Sequence, residues 1–387
     1  MRKTKYLLTS ALFACLLFTG CQPTKPTDVS SVEKKETQDE DGDVASEYLQ
    51  TEETELIIET EPDPEPIITT LTLTATGDCT LGVTQQHGYS GSFHAYYDSY
   101  GKEYFFENFK EVFGQDDLTL INLECVLTDS NNRVEKAFNL KGKPEYVDIM
   151  TVSSIEACSL GNNHTRDYGE ESLIDTKEVL DNAGIVYAYN DIVSYYTSDE
   201  GIVVGIVSAS LLSQSEKYEN YMLEGVKKAR KEGADIVVAC CHWGIEREYY
   251  PNSYQKNMAH QLIDAGADLI IGNHPHVLQG VEEYKGKIIC YSLGNFCFGG
   301  NRNPAEKNTI VYQQTFTFMD GILQPDITAE IIPSRISGHS DYNDFQPMIA
   351  EGTQALNIIN KMNEYSKPYS GVSFQEDGTL VINTNTD

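Results

Sequence analysis

Basic residues are scarce in this sequence: 28 Lys and Arg stand against 59 Asp and Glu over 387 positions, a net charge of −31. A chain this acidic does not coat or bend nucleic acid, because neutralising phosphates needs the opposite sign. Internal repeats are absent, tryptophan occurs once, and none of the nine cysteines falls in a CxxC pair. Setting aside Cys15 and Cys21 near the amino terminus leaves seven: Cys79, Cys125, Cys158, Cys240, Cys241, Cys290 and Cys297. An odd number without paired spacing supports neither a disulfide framework nor a zinc ribbon, so these read mostly as buried thiols in strands. An exported location would still permit a disulfide. What the chain does have is apolar bulk, with 40% hydrophobic residues including 24 Tyr and 14 Phe, enough to bury a substantial core. Its length suits one large domain or two small ones.

Arg2, Lys3 and Lys5 precede an apolar run, Tyr6 to Phe18, too short for a comfortable bilayer span and right for the core of a signal peptide. The run closes in Leu17, Phe18, Thr19, Gly20 and Cys21, which resembles a bacterial lipobox, although Phe18 is bulkier than usual. Cys21 is then the expected lipidation site, and two acyl chains anchor stably. A simple secreted protein is the plainer alternative. Residues 22–70 hold 15 acidic and 3 basic side chains and pass through EPDPEP, the composition of an extended, self-repelling tether. The expected organisation is a signal peptide at 1–21, an acidic disordered tether at 22–66, a folded domain at 67–335, and an extension at 336–387 that packs on it. Within that extension, Glu351 to Tyr365 reads as an amphipathic helix.

Beyond the tether, β-branched apolar runs alternate with helical stretches, the pattern of an α/β domain. Strands are expected at Ile67–Thr76, Leu118–Leu123, Ile155–Leu160, Ile202–Ser208, Asp235–Cys241, Asp268–Ile271 and Lys287–Leu293. Helices are expected at Glu103–Phe113, Glu170–Ala183, Glu216–Glu232 and Ser253–Ala265, with Gly184, Gly233 and Gly266 placed as C-caps. Five strands run into carboxylates, amides or imidazoles: Asp78; Asn122 and Glu124; Asn162, Asn163 and His164; His242; His274 and His276. Carboxyl ends of strands line the crevice in α/β sheets, so these groups can converge there. Carboxylate, amide and imidazole together suit Zn, Mn or Fe rather than calcium. Taken singly, each has a plainer reading: Asp78 as a turn or helix cap, Glu124 as half of a buried ion pair, His164 as a satisfied core histidine. The pair His274 and His276 is stronger, because i and i+2 of an extended segment face one side. Four of the eight histidines lie at such strand ends.

The ordered motifs GD, NLE, GNNHTRDYG, HWG, GNHPHVLQG and YSLGNF resemble the bacterial capsule-synthesis CapA (PgsA) family, associated with poly-γ-glutamate capsules and related to calcineurin-like metallophosphatases. The resemblance spans about residues 71–300. It implies an α/β fold, a four-layer αββα sandwich of the metallo-dependent phosphatase type, with a divalent transition metal (Mn, Zn or Fe) as one or two ions. The implied metal positions are Asp78, Glu124, Asn163, His242, His274 and His276, with His164 as the catalytic acid. Asn122, Asn162, Asp167, Ser292 and Asn295 then shape the pocket, as does Gly169. The chain departs from the metallophosphatase pattern in two places. Asp78 is followed by Cys79 and Thr80 where Asp-x-His is usual, and only Asn122 and Glu124 stand where GDxxD is usual.

Two functions follow as expectations. One is a metal-dependent hydrolase-type site, phosphoesterase-like or acting on an amide of poly-γ-glutamate. The other is a non-catalytic polymer-binding or assembly component retaining a degenerate site. Expected partners are the membrane through a lipid anchor, an anionic polymer such as poly-γ-glutamate, and membrane-embedded capsule synthase subunits, with no nucleic acid. A binding lipoprotein with a small-molecule cleft is a third class, and it leaves the polar strand ends unexplained. Arg133, Lys136, Lys141 and Lys143 are placed to border the cleft, whereas Lys227, Lys228, Arg230 and Lys231 read as a solvated helix face. Trp243, Tyr249 and Tyr250 fit either a pocket wall or the core.

Overall fold

The computed structural model describes residues 64–369 and 371–382; the expected signal peptide, Cys21 and most of the acidic stretch lie outside the described residues. Two sheets are built from β1 (Ile68–Thr80), β2 (Leu118–Leu123), β3 (Ala157–Ser159), β4 (Val186–Ala188), β5 (Ser194–Thr197), β6 (Val203–Ser210), β7 (Ile236–His242), β8 (Leu269–Asn273), β9 (Val281–Tyr284), β10 (Lys287–Cys290), β11 (Asn295–Phe298), β12 (Asn308–Met319), β13 (Thr328–Arg335) and β14 (Met348–Ile349), with the two-residue strand Ile322–Leu323 added on β12. The larger sheet runs β14-β13-β12-β1-β2-β3-β4, with β11 also pairing β1; the smaller runs β9-β10-β8-β7-β6-β5. From β1 to β4 and from β6 through β7 and β8 to β10 the pairing is parallel, so carboxyl ends gather at one rim of each sheet.

The side-chain alternation of the strands creates the layers. Ile236, Val238 and Cys240 of β7 face Leu71, Leu73, Leu118 and Leu120 of the other sheet in one buried cluster. Their neighbours Val237, Ala239 and Cys241 pack outward on helices α3 (Glu216–Lys231) and α4 (Ser253–Ala265), through Met222, Val226, Met258 and Leu262. On the far side of the larger sheet, Ile121, Leu123 and Cys158 meet Leu173 and Leu180 of α2 (Gly169–Ala183) and a phenylalanine cluster. The result is a four-layer α/β sandwich. Each fully buried aliphatic side chain in it contributes about 1.5–3 kcal/mol.

The helix expected at Glu103–Phe113 is broken into 3₁₀ turns at Lys102–Tyr104 and Glu107–Phe109, with only Lys110–Phe113 α-helical. Phe105, Phe106, Phe109 and Phe113 are all buried, more than one helical stripe can hide, so packing overrides propensity. Helix α1 (Phe93–Tyr100) and the long antiparallel strands β12 and β13 were not among the expected elements. Helix α5 (Gly352–Ser366) buries Ile358, Ile359 and Met362 in the inter-sheet core. All seven cysteines of the described residues are free and buried.

Strand β1 continues four residues past its expected end, and its register slips between Ala75 and Asp78 against β2. A bulge of this kind re-aims a side chain, here Asp78. The slip depends on Gly77, because a Cβ there would stand 2.2 Å from the Gly294 carbonyl oxygen, whose own acceptor role is filled by the Asp78 N–H at 2.8 Å. Gly77→Ala is therefore expected to cost about 1–3 kcal/mol. The readout is a lowered urea midpoint at unchanged slope. An unchanged midpoint would show that the crossing yields freely.

Candidate metal centre

The two sheets bring their polar strand ends to one buried focus. Asp78 at the bulge of β1 accepts from Asn122 Nδ2 at 2.8 Å and faces His276 Nδ1 at 3.0 Å. Glu124 follows β2, held by its N–H donating to the Cys79 carbonyl at 2.7 Å and by the Thr80 hydroxyl donating to its own carbonyl at 3.1 Å. Thr80 thus pins Glu124. Around Glu124 Oε1 stand three ring nitrogens: His242 Nε2 at 3.6 Å, His276 Nε2 at 3.8 Å and His164 Nε2 at 3.9 Å. His274 packs on His242 with ring centroids 4.8 Å apart, and its N–H faces Asp78 at 3.3 Å.

Two sets of ligand atoms form, each within 4.8 Å: Glu124 with His274 and His276, and Asp78 with Glu124 and His242. Glu124 belongs to both. Asn163 joins the second set through Oδ1, 2.8 Å from His242 Nε2. The fit to a cation rests on unmet valence: Glu124 Oε1 and Oε2 and His274 Nδ1 are buried with no hydrogen-bond partner among the described residues. A fully buried carboxylate without a donor is costly, and a divalent ion offsets that cost. The residues are therefore compatible with a metal site, and the shared carboxylate accommodates one ion or two.

The remaining site residues act as scaffold. Asn162 Nδ2 donates to the Leu123 carbonyl at 2.9 Å and to Asn122 Oδ1 at 3.2 Å, while its Oδ1 accepts the His164 N–H at 3.0 Å. Asp167 takes His164 Nδ1 at 2.6 Å and Lys136 Nζ at 2.7 Å, and Lys136 also donates to the Asn163 carbonyl at 3.0 Å. Asn295 Oδ1 meets His276 Nδ1 at 2.9 Å. Ser292 lies one step back, its hydroxyl donating to the Val277 carbonyl at 2.7 Å. Of the basic residues expected at the cleft, Lys136 reaches it, whereas Lys143 pairs with Asp98 and Glu145, and Lys141 donates to the Ser130 carbonyl. Trp243 is fully buried and donates from Nε1 to the Tyr291 carbonyl at 2.9 Å, which makes it core rather than pocket wall.

His274 and His276 do not lie in an extended segment; β8 ends at Asn273 and both residues adopt left-handed backbone, φ 96° and 56°. Their convergence comes from a strained turn, of the kind found where a site over-determines the backbone.

Electrostatics divides the imidazoles. Burial and the neighbouring histidines hold His242 well below its ordinary pKa, and burial chiefly pushes His274 down to about 4. Burial also opposes charge on His276, but Glu124 and Asp78 outweigh it and raise the ring to about 10. Glu124 itself is raised well above the carboxylate range by burial and by Asp78. A ligating imidazole must be neutral, so a cation displaces the His276 proton. Affinity for Mn or Zn is expected to rise with pH over about pH 6 to 8, releasing roughly one proton or more per site. Calorimetry in buffers of different ionisation enthalpy measures this; pH-independent binding without proton release would contradict it.

Fold and site together define a layered α/β protein with a strand-end centre compatible with a metal ion. Residues 72–300 match the family model described as "Bacterial capsule synthesis protein PGA_cap", and the chain belongs to that family. It is 32% identical over 218 residues to the "PGA biosynthesis protein CapA" of Bacillus subtilis (strain 168), covering 51% of this chain and 57% of that protein. It is 30% identical over 253 residues to the "Capsule biosynthesis protein CapA" of Bacillus anthracis, covering 59% of this chain and 60% of the relative. The chain thus spans under two thirds of the length of the curated relatives it matches. A hypothetical protein from Thermus thermophilus aligns over 68% of this chain and 99% of its own, with a TM-score of 0.43 and 14% identity, a likeness too slight to argue from.

Proposed function

We propose that this protein is a membrane-anchored, extracytoplasmic component of poly-γ-glutamate capsule synthesis or export, with a metal-dependent hydrolase-type centre. The family and the names of its Bacillus relatives support the capsule role, and the Cys21 lipobox supports the anchor. One observation carries the catalytic reading: Glu124 is buried with both oxygens unpartnered among the described residues, at the focus of His164, His242 and His276. A divalent ion bound there supplies Lewis acidity and lowers the pKa of bound water.

The chain's own groups supply positioning and proton transfer. Glu124, Asp78, His242, His274 and His276 hold the cation, with Asn163 beside His242. His164 commits Nδ1 to Asp167, which leaves Nε2 facing the focus as the atom that passes a proton to a leaving group. Asp167 and Lys136 fix that ring.

The second reading is a non-catalytic assembly component working with membrane-embedded synthase subunits, favoured by Thr80 where the Asp-x-His pattern has an imidazole. Complementation of a capsule-deficient deletion strain separates the two. Under the catalytic reading, His164→Ala with His274→Ala fails to restore polymer. Restoration to the wild-type level would leave only the assembly role.

A further inference from the structure

A cavity of about 220 Å³ opens directly onto the centre, sharing His164, His276 and Asn295 with it. That is below the usual range for drug-sized ligands, so it takes a small group rather than a polymer segment. Its walls are largely apolar, through Phe138, Leu140, Val277 and Phe298, and its rim carries two opposite charges, Glu246 and Arg247. Neither of these two side chains makes a hydrogen bond or ion pair with the described residues, nor do they pair with one another. Other arginines of the domain are engaged, Arg166 with Glu170, Arg230 with Asp268 and Arg302 with the Gly88 carbonyl, whereas Arg133 is as free as Arg247 but lies off the cavity. Glu306, the other carboxylate on the wall, is already engaged by the Lys307 and Asn308 N–H groups at 3.0 and 2.9 Å and by Lys361 at 3.6 Å.

The charge pair is also held in place. Arg247 has a left-handed backbone, φ 66°, and its N–H donates to the Pro275 carbonyl at 2.8 Å, between the two histidines of the centre. A non-glycine residue rarely adopts that conformation and persists in it where its surroundings fix it. Glu246 and Arg247 are thereby registered to the same turn that carries His274 and His276.

We infer that this cavity is the subsite for a free α-amino-acid head, an ammonium and a carboxylate on one carbon, carried on a short aliphatic stem, with Glu246 reading the ammonium and Arg247 the carboxylate. The apolar walls accept the methylenes, and the reacting carbonyl at the end of the stem lies toward His164 and His276. A phosphomonoester brings two negative charges and no positive one, which Glu246 opposes. The inference rests on the proposed γ-linked polymer: in such a chain only the amino-terminal residue carries both groups on one carbon, so the centre acts from a chain end.

Calorimetric titration of the full chain tests this with γ-glutamylglutamate, its N-acetyl derivative, its amino-terminal α-amide and phenyl phosphate. In the wild type, acetylation or amidation is expected to weaken binding roughly tenfold or more, the scale of a lost charged hydrogen bond. Glu246→Gln is expected to bind the free and acetylated dipeptides within roughly twofold of each other, and Arg247→Gln to lose discrimination against the amide in the same way. Both side chains are exposed, so the variants keep the wild-type thermal midpoint, which is checked alongside. Equal binding of free and acetylated dipeptide would overturn the inference while leaving the polymer reading intact. Binding of phenyl phosphate alone would overturn both.

Discussion

Glu124→Gln is expected to invert the effect of metal on stability. In the wild type, Mn or Zn at about a hundred times its Kd stabilises the fold by about 2.7 kcal/mol, a rise of several degrees in Tm. The variant keeps the shape of the side chain but removes the charge shared by both ligand sets, so its metal-dependent rise vanishes. Without metal the order reverses. The wild type then buries a carboxylate beside Asp78 with no donor on either oxygen, and a neutral amide relieves that repulsion. The variant should therefore melt above the wild type in chelator and below it in saturating metal. Differential scanning calorimetry under both conditions decides it, and an equal rise in both proteins would remove Glu124 from the ligand set.

Under the catalytic reading, His164→Gln is expected to lower kcat/KM on whichever substrate is turned over by about 10²–10⁴-fold, the usual contribution of a positioned proton donor. Metal content and the metal-dependent rise in Tm should survive, because His164 lies outside both ligand sets. Single-turnover rates together with metal analysis separate the outcomes. Activity within a few-fold of wild type would place the acid elsewhere, and loss of metal along with activity would make the ring a ligand.

Most of the candidate centre was legible because its polar residues sit at strand ends, where an apolar run stopping at Asp78, Glu124 or His242 marks the rim of a parallel sheet. Their shared focus was not legible from spacing, since it depends on two sheets packing face to face. The pairing of His274 with His276 was expected for a reason that does not hold: the strained turn, not an extended strand, turns both rings inward. The Gly77 crossing that admits this geometry shows in the sequence only as a glycine before an aspartate. Glu246 and Arg247 carried no signal, because they follow the HWG motif on an aperiodic loop and matter only through where that loop lands. Strands β12 and β13 went unread for a different reason. β12 mixes Thr and Gln with Phe, and several of its side chains are only partly buried, so its apolar runs are too interrupted to mark a strand.

Strand β1 enters the domain at Ile68 and delivers Asp78 to the centre ten residues later, a contour of roughly 30 Å interrupted by the bulge just before Asp78. The exposed end of the strand at Ile67 and Ile68 thus lies far from the site, and substitutions there should leave metal binding unchanged.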